Sequence, residues 1–398
     1  MAETGWPPTE SPMSPPSFSL RSRVEPFIAM DILREAGLLE AQGRSIMHLE
    51  VGEPGAPPPR VVREVARAAL EGGRVPYTEA RGRLALRTRI ARHYGETYGV
   101  DVSPERIVIT TGSSGGFLLS FLALFDAGDR IAISAPGYPA YRNILEALGC
   151  VAVPIEVDAS TRFVVTADQI EAAHARAPLA GVLLMSPANP SGTMIGRDAL
   201  RAICERCDAL DVAFISDEIY HGLTFGEPAA TALSFTDNVT VVNSFSKYYC
   251  MTGWRVGWLV VADAMVRPLE RLQQSLAISV PYLSQIGAEA AFDARDELEA
   301  VKAGYAESRA MLLEALPKLG FTGIHSPDGA FYIYTDAGRF TNDSLAFCTR
   351  MLDEAGVAAT PGLDFDRARG ARTIRFSYAG APADVREALA RLKAWLPA

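Results

Sequence analysis

The chain has 398 residues, 48% of them apolar, and a formal net charge of −9 at pH 7. That length and apolar content support a large core divided over two domains or three. The acidic balance, with no Lys/Arg block, argues against nucleic acid and anionic membrane as partners, and five cysteines are too few and too odd in number for a disulfide framework.

Residues 1–17 are rich in Pro, Ser, Thr and Glu and read as a disordered or loosely draped tail. The start lacks the basic residues and apolar segment of a secretory signal, and no uncharged apolar run reaches the roughly 18 residues needed to span a bilayer, so the expectation is a cytoplasmic protein. A helix is expected over 26–42, with Phe27, Ile28, Ile32, Leu38 and Leu39 on its apolar positions. A short strand over 47–51 runs into the turn-rich Gly52-Glu53-Pro54-Gly55, and helices follow at about 60–72 and 82–98. From residue 106 the pattern alternates strand and helix, with apolar runs at 107–110, 130–134, 151–156, 181–185, 212–216, 239–243 and 256–261. Such runs separated by helices indicate a sheet covered on both faces. Cys204 and Cys207 form a CxxC inside one of these helical stretches. With no second pair nearby, ordinary helix packing is the expectation over a metal or redox role. From about 263 to 319 the pattern is helical. The remainder mixes strands (329–335, 373–377) with helices (343–355, 382–395), suggesting a smaller α+β domain.

Four strand ends carry functional candidates, and in open α/β sheets that edge is where ligands bind. After 107–110 comes Thr111-Gly112-Ser113-Ser114, either an ordinary capped turn or a helix start whose free N–H groups and hydroxyls suit a phosphate. After 181–185, Asn189 stands in a proline-bounded loop, as a turn residue or as a fixed amide. Asp217 ends its strand, as a helix cap or as a carboxylate paired with a cationic ring nitrogen. Last come Ser244, Ser246 and Lys247, then Arg255. A lysine directly after an apolar strand is unusual, because buried lysines are rarely unpaired. It is a surface residue, or an amine already condensed with an aldehyde.

Taken together these pieces resemble the class I/II aminotransferases, fold-type-I pyridoxal-phosphate enzymes. The resemblance runs from about Phe27 to the C-terminus. It rests on Gly52-Glu53-Pro54, Tyr77 with Gly82, Thr111-Gly112, Pro136-Gly137-Tyr138-Pro139, Asn189-Pro190-Ser191-Gly192 and Asp217-Glu218-Ile219-Tyr220. It continues through Ser244-Phe245-Ser246-Lys247, Gly253-Trp254-Arg255, Gly329-Ala330-Phe331-Tyr332 and Arg375-Phe376-Ser377-Tyr378. It implies an α/β fold: a large domain with a mostly parallel sheet in an α/β/α sandwich, and a smaller α+β domain from the N- and C-terminal segments. The boundaries read as tail 1–17, first part of the small domain 18–60, cofactor-binding domain 61–295, and C-terminal small domain 296–398.

The resemblance also implies roles. Lys247 would hold pyridoxal 5′-phosphate as an imine and, once freed, move the substrate proton. Asp217 would pair with the ring nitrogen and keep it protonated. Tyr220 and Asn189 would bond the ring's phenolate oxygen, and Tyr138 would stack on the ring. Gly112, Ser113, Ser114, Ser244, Ser246 and Arg255 would surround the phosphate, joined by Tyr77 of a second subunit, which implies a homodimer with shared active sites. Arg375 would grip the substrate α-carboxylate, assisted by Asn189 and the Gly52 backbone. Tyr332, Tyr282 and Phe331 would line the side-chain pocket or simply pack in the core.

Two departures bear on the substrate. Ser114 stands where some family members that take dicarboxylates carry lysine, and Gly55-Ala56 stands where relatives have Asp-Phe. The expectation is ping-pong transfer from a neutral, aliphatic or aromatic L-amino acid to a 2-oxo acid. The alternatives are a C–S lyase or synthase on the same scaffold, and a non-catalytic sensor of the cofactor.

Overall fold

The computed structural model describes residues 18–397, so the tail expected over 1–17 lies outside the described residues. Eleven strands form two sheets: β1 (Met47–Leu49), β2 (Ile107–Thr110), β3 (Arg130–Ala135), β4 (Val151–Glu156), β5 (Gly181–Met185), β6 (Ala213–Asp217), β7 (Val239–Ser244), β8 (Gly257–Val260), β9 (Tyr332–Asp336), β10 (Val357–Pro361) and β11 (Thr373–Ser377). The larger sheet has the order β2-β8-β7-β6-β5-β3-β4, and the smaller one β1-β10-β11-β9. In the larger sheet β3 to β7 pair in parallel and only β8 runs against its neighbours.

The central parallel strands β5, β6 and β7 are almost wholly buried, as expected where helices cover both faces of a sheet. Side chains of the larger sheet alternate between two cores. Val108, Leu183, Ile215 and Val242 enter one, while Ile107, Val182, Phe214 and Val241 enter the other. The first core also contains Ile333, Ala358 and Phe376 of the smaller sheet, so the two sheets share an apolar layer. Cys204 and Cys207 are buried in the helix Arg197–Ala209, where burial pushes both thiols up to about 12. Neither is a reactive thiolate at neutral pH. Among the described residues no helix is long and apolar enough to cross a membrane.

Two features differ from the sequence reading. β10, Val357-Ala358-Ala359-Thr360-Pro361, was not anticipated. Its alanines have low strand propensity, yet every residue is buried between β1 and β11. The helix expected over 343–355 is α-helical only over Ser344–Arg350 and continues as a π-helical turn, Met351–Ala355.

Candidate active site

The antiparallel strand β8 explains how the site assembles. Gly257 is in register with both Thr110 and Ser244, so the start of β8 lies beside the ends of β2 and β7. Only glycine fits at 257, because a Cβ there would lie 2.7 Å from the Asn243 carbonyl and 3.1 Å from the Ser113 nitrogen. Arg255 is thereby brought against Gly112, where a Cβ would lie 2.5 Å from Nη2. Gly112 opens a 13-residue helix whose N-cap makes no side-chain bond. Ser244 Oγ and Ser246 Oγ are 2.8 Å apart in the adjoining turn. Helix N–H groups, hydroxyls and a guanidinium around a pared-down backbone are the donor set a phosphate dianion requires.

This cradle is one end of a cavity of about 180 Å³. Gly52, Tyr138, Asn189, Asp217, Lys247 and Arg375 line it, together with Ser113, Ser114, Tyr220, Ser246 and Arg255. Gly112 and Ser244 stand directly behind that lining, through their contacts with Arg255 and Ser246.

Lys247 Nζ donates to the Gly52 carbonyl at 2.6 Å. Burial lowers its ammonium to about 8. Glu53 and Asp217 oppose the shift, and Arg375 and Arg255 add to it. At neutral pH about one lysine in ten is then a free amine, against roughly one in a thousand for an ordinary lysine.

Asp217 is 1% exposed. Burial raises its carboxyl to about 7, against the stabilising bonds from the Tyr141 hydroxyl and the Ile219 N–H at 3.1 Å. A buried carboxylate held by two donors, in a cavity with a lysine, fits a protonated pyridine nitrogen. The residues present therefore fit pyridoxal phosphate at both ends, ring nitrogen and phosphate.

Arg375 projects from β11 into the same cavity. Nη1 donates to Asn189 Oδ1 at 2.9 Å, and Nη2 to Thr360 Oγ1 at 3.1 Å and to the Glu50 carbonyl. Its guanidinium lies 4.3 Å from the Tyr332 ring and 4.8 Å from the Phe365 ring. The buried Nε has no hydrogen-bond partner among the described residues. Tyr220 Oη and Tyr332 Oη are 2.7 Å apart, and a Cβ at Gly52 would collide with that Tyr332 hydroxyl.

The chain does not bring every expected residue to the cavity. Tyr77 is 80% exposed and outside it. Tyr282 lies at the start of the helix Tyr282–Ala291, under Arg83 and away from the cavity. Phe331 stands behind the wall, its ring edge-on to Tyr220 at 5.5 Å. Conversely, Tyr141 was missed. It sits three positions after Tyr138, so the i, i+3 spacing on a helix was the available signal. Phe27 and Met30 also line the cavity, and their distance in sequence from the other residues gave no hint of it.

Comparison with known proteins agrees with this geometry. The family model for aminotransferase class I and II matches residues 44–392. The valine–pyruvate aminotransferase of Mycobacterium tuberculosis is 48% identical over 95% of this chain and 98% of its own length. A (5-formylfuran-3-yl)methyl phosphate transaminase of Methanocaldococcus jannaschii is 34% identical over 94% of this chain and 97% of its own. The crystal structure of an aminotransferase from M. tuberculosis superposes with a TM-score of 0.93 at 47% identity, covering 96% of this chain and 99% of that one.

Proposed function

Because the chain belongs to the class I and II aminotransferases, pyridoxal-phosphate enzymes of fold type I, we propose that it moves an amino group from a neutral L-amino acid, aliphatic or aromatic, to a 2-oxo acid in two alternating half-reactions. The observation that carries this reading is the placement of Arg375 and Lys247 in one cavity where, among the described residues of the chain, the only other lining cation is Arg255, at the phosphate end. Arg375 reads an α-carboxylate, and among the described residues the chain lines its own cavity with no further arginine or lysine for a second carboxylate. The substrates in the name of the M. tuberculosis relative, valine and pyruvate, point the same way.

Pyridoxal phosphate, when bound, supplies the carbonyl that exchanges for the amino group and the ring that takes up the electron pair released at Cα. Lys247 tethers it, and its amine removes the substrate Cα proton. Asp217 holds the ring nitrogen, with Tyr141 and the Ile219 N–H fixing the carboxylate's direction. Tyr220 and Asn189 would hydrogen-bond the ring oxygen, and Tyr138 would pack on the ring. Ser113, Ser114, Ser244, Ser246, Arg255 and the Gly112 helix start hold the phosphate. Arg375 fixes the carboxylate and so turns the Cα–H bond toward Lys247. The Gly52 carbonyl accepts the lysine's proton-bearing end and keeps it at the substrate side.

The exposed Tyr77, remote from its own cavity, supports a homodimer in which it serves the partner's phosphate site. β1 from the first segment and β9 to β11 from the last support a small domain of 18–60 with 296–398, set on a cofactor domain of 61–295. A cytoplasmic location completes the proposal.

The test is a single-turnover screen of holoenzyme against individual amino acids, reading stoichiometric conversion of the cofactor from its aldehyde to its amine form by absorbance. Valine, leucine and phenylalanine are expected to convert it and aspartate is not. Release of ammonia without an acceptor, or no conversion with any amino acid, would refute transamination.

A further inference from the structure

The helix Ile28–Ala41 begins without a cap of its own. Its N-cap residue is Phe27, which makes no side-chain bond to the helix. The first N–H groups of a helix need acceptors from elsewhere. Here both come from one residue near the other end of the chain. The Ile28 N–H donates to Asp364 Oδ1 at 3.0 Å and the Ala29 N–H to Oδ2 at 3.2 Å. Asp364 is 1% exposed, and burial raises its carboxyl while those two N–H groups lower it. A carboxylate buried at that level needs its donors, as the helix end needs its acceptor.

This mutual dependence falls at the substrate cavity. Phe27 and Met30, on either side of the capped residues, line it. Phe27 packs edge-on to Tyr138 at 5.7 Å, and Met30 lines the cavity while remaining 50% exposed. Asp364 is followed directly by Phe365, whose ring lies against Arg375. One short turn, Gly362–Asp364 with Phe365, therefore touches both the cation assigned to the α-carboxylate and the segment that contributes Phe27 and Met30 to the cavity lining. The body of the helix beyond the first turn is anchored independently, through buried Ile32 and Ala36. Loss of the cap would loosen the first turn and leave the fold standing.

Building on the aminotransferase reading above, we infer that Asp364 is a positioning residue for substrate choice: by capping this helix it sets Phe27 and Met30 as the apolar wall against which the substrate side chain packs. A small side chain such as that of alanine does not reach the wall, and a branched one does.

The experiment compares holoenzyme with Asp364→Ala and Asp364→Asn, measuring kcat/KM for L-valine and L-alanine, cofactor content, and amide hydrogen exchange over residues 27–31. For Asp364→Ala the valine-to-alanine ratio should fall about tenfold, the size of discrimination an apolar pocket provides. Exchange at Ile28 and Ala29 should accelerate while cofactor content stays unchanged. Asp364→Asn keeps one carbonyl oxygen and should recover part of both effects. Equal losses for valine and alanine would mean a merely structural role and overturn the inference, as would unaltered exchange. Failure of the unsubstituted enzyme to convert either amino acid would instead refute the transaminase reading. The capping claim would then stand or fall on exchange alone.

Discussion

Tyr141→Phe isolates a single bond in the candidate site. The substitution keeps the ring, and with it the edge contacts to Phe117 at 4.9 Å and Tyr138 at 5.2 Å. It removes only the hydroxyl that donates to Asp217 Oδ2, leaving the Ile219 N–H at 3.1 Å as the remaining donor. A hydrogen bond to a charged group contributes about 1.5–3 kcal/mol, which corresponds to roughly 10- to 150-fold in a binding constant. Burial already raises the Asp217 carboxyl to about 7, and the tyrosine is the larger of the two hydrogen bonds holding it down. Without it the carboxyl rises further, so more of it is neutral near pH 7–8 and unable to pair with a protonated ring nitrogen. The apparent Kd for pyridoxal phosphate, measured by fluorescence titration of apoenzyme, should rise within the 10- to 150-fold range, and most at that pH. The Tm of the apoenzyme should move little. An unchanged Kd and pH profile would refute the reasoning, because the backbone donor alone would then suffice to direct the carboxylate.

Arg375→Ala should lower kcat/KM by at least about 100-fold for every amino acid alike, since charge-assisted bonds to the common α-carboxylate are lost. A defect confined to one side chain would assign Arg375 to specificity instead. His48 is raised from 6.5 to about 9, chiefly by its bond to Glu50 at 2.7 Å. A raised folded-state pKa gives stability that is complete below 6.5 and is lost as pH rises through 9. Thermal melts should therefore decline over that window, and His48→Gln should flatten the decline. Lys247→Ala and Tyr77→Ala, each impaired alone, should regain activity when unfolded together and refolded, because mixed dimers contain one site with both native residues. No recovery would place Tyr77 outside the partner's site.

Much of the site was legible because its residues follow strands. Asp217 and Lys247 end or follow runs such as Phe214-Ile215-Ser216 and Val241-Val242, whose burial pattern is local and strong. The same holds for the turn from Thr110 into Gly112. What was not legible depends on contacts between remote segments. The alanines of β10 carry no strand signal, and that strand exists because β1 and β11 lie beside it. The cap on Ile28 comes from a residue 336 positions away. Of the three pocket candidates Tyr332, Phe331 and Tyr282, only Tyr332 reaches the cavity, and nothing in their composition separates them.

The pairing of β1 with β10 has a consequence for the order of assembly. Every strand of the larger sheet is contained between residues 107 and 260, whereas Met47 must wait for Val357 to find its neighbour. A chain emerging from the ribosome can thus complete the phosphate cradle about a hundred residues before Arg375 exists. Long-range pairings of this kind form late. The nascent protein would acquire its grip on the cofactor before its grip on the amino acid.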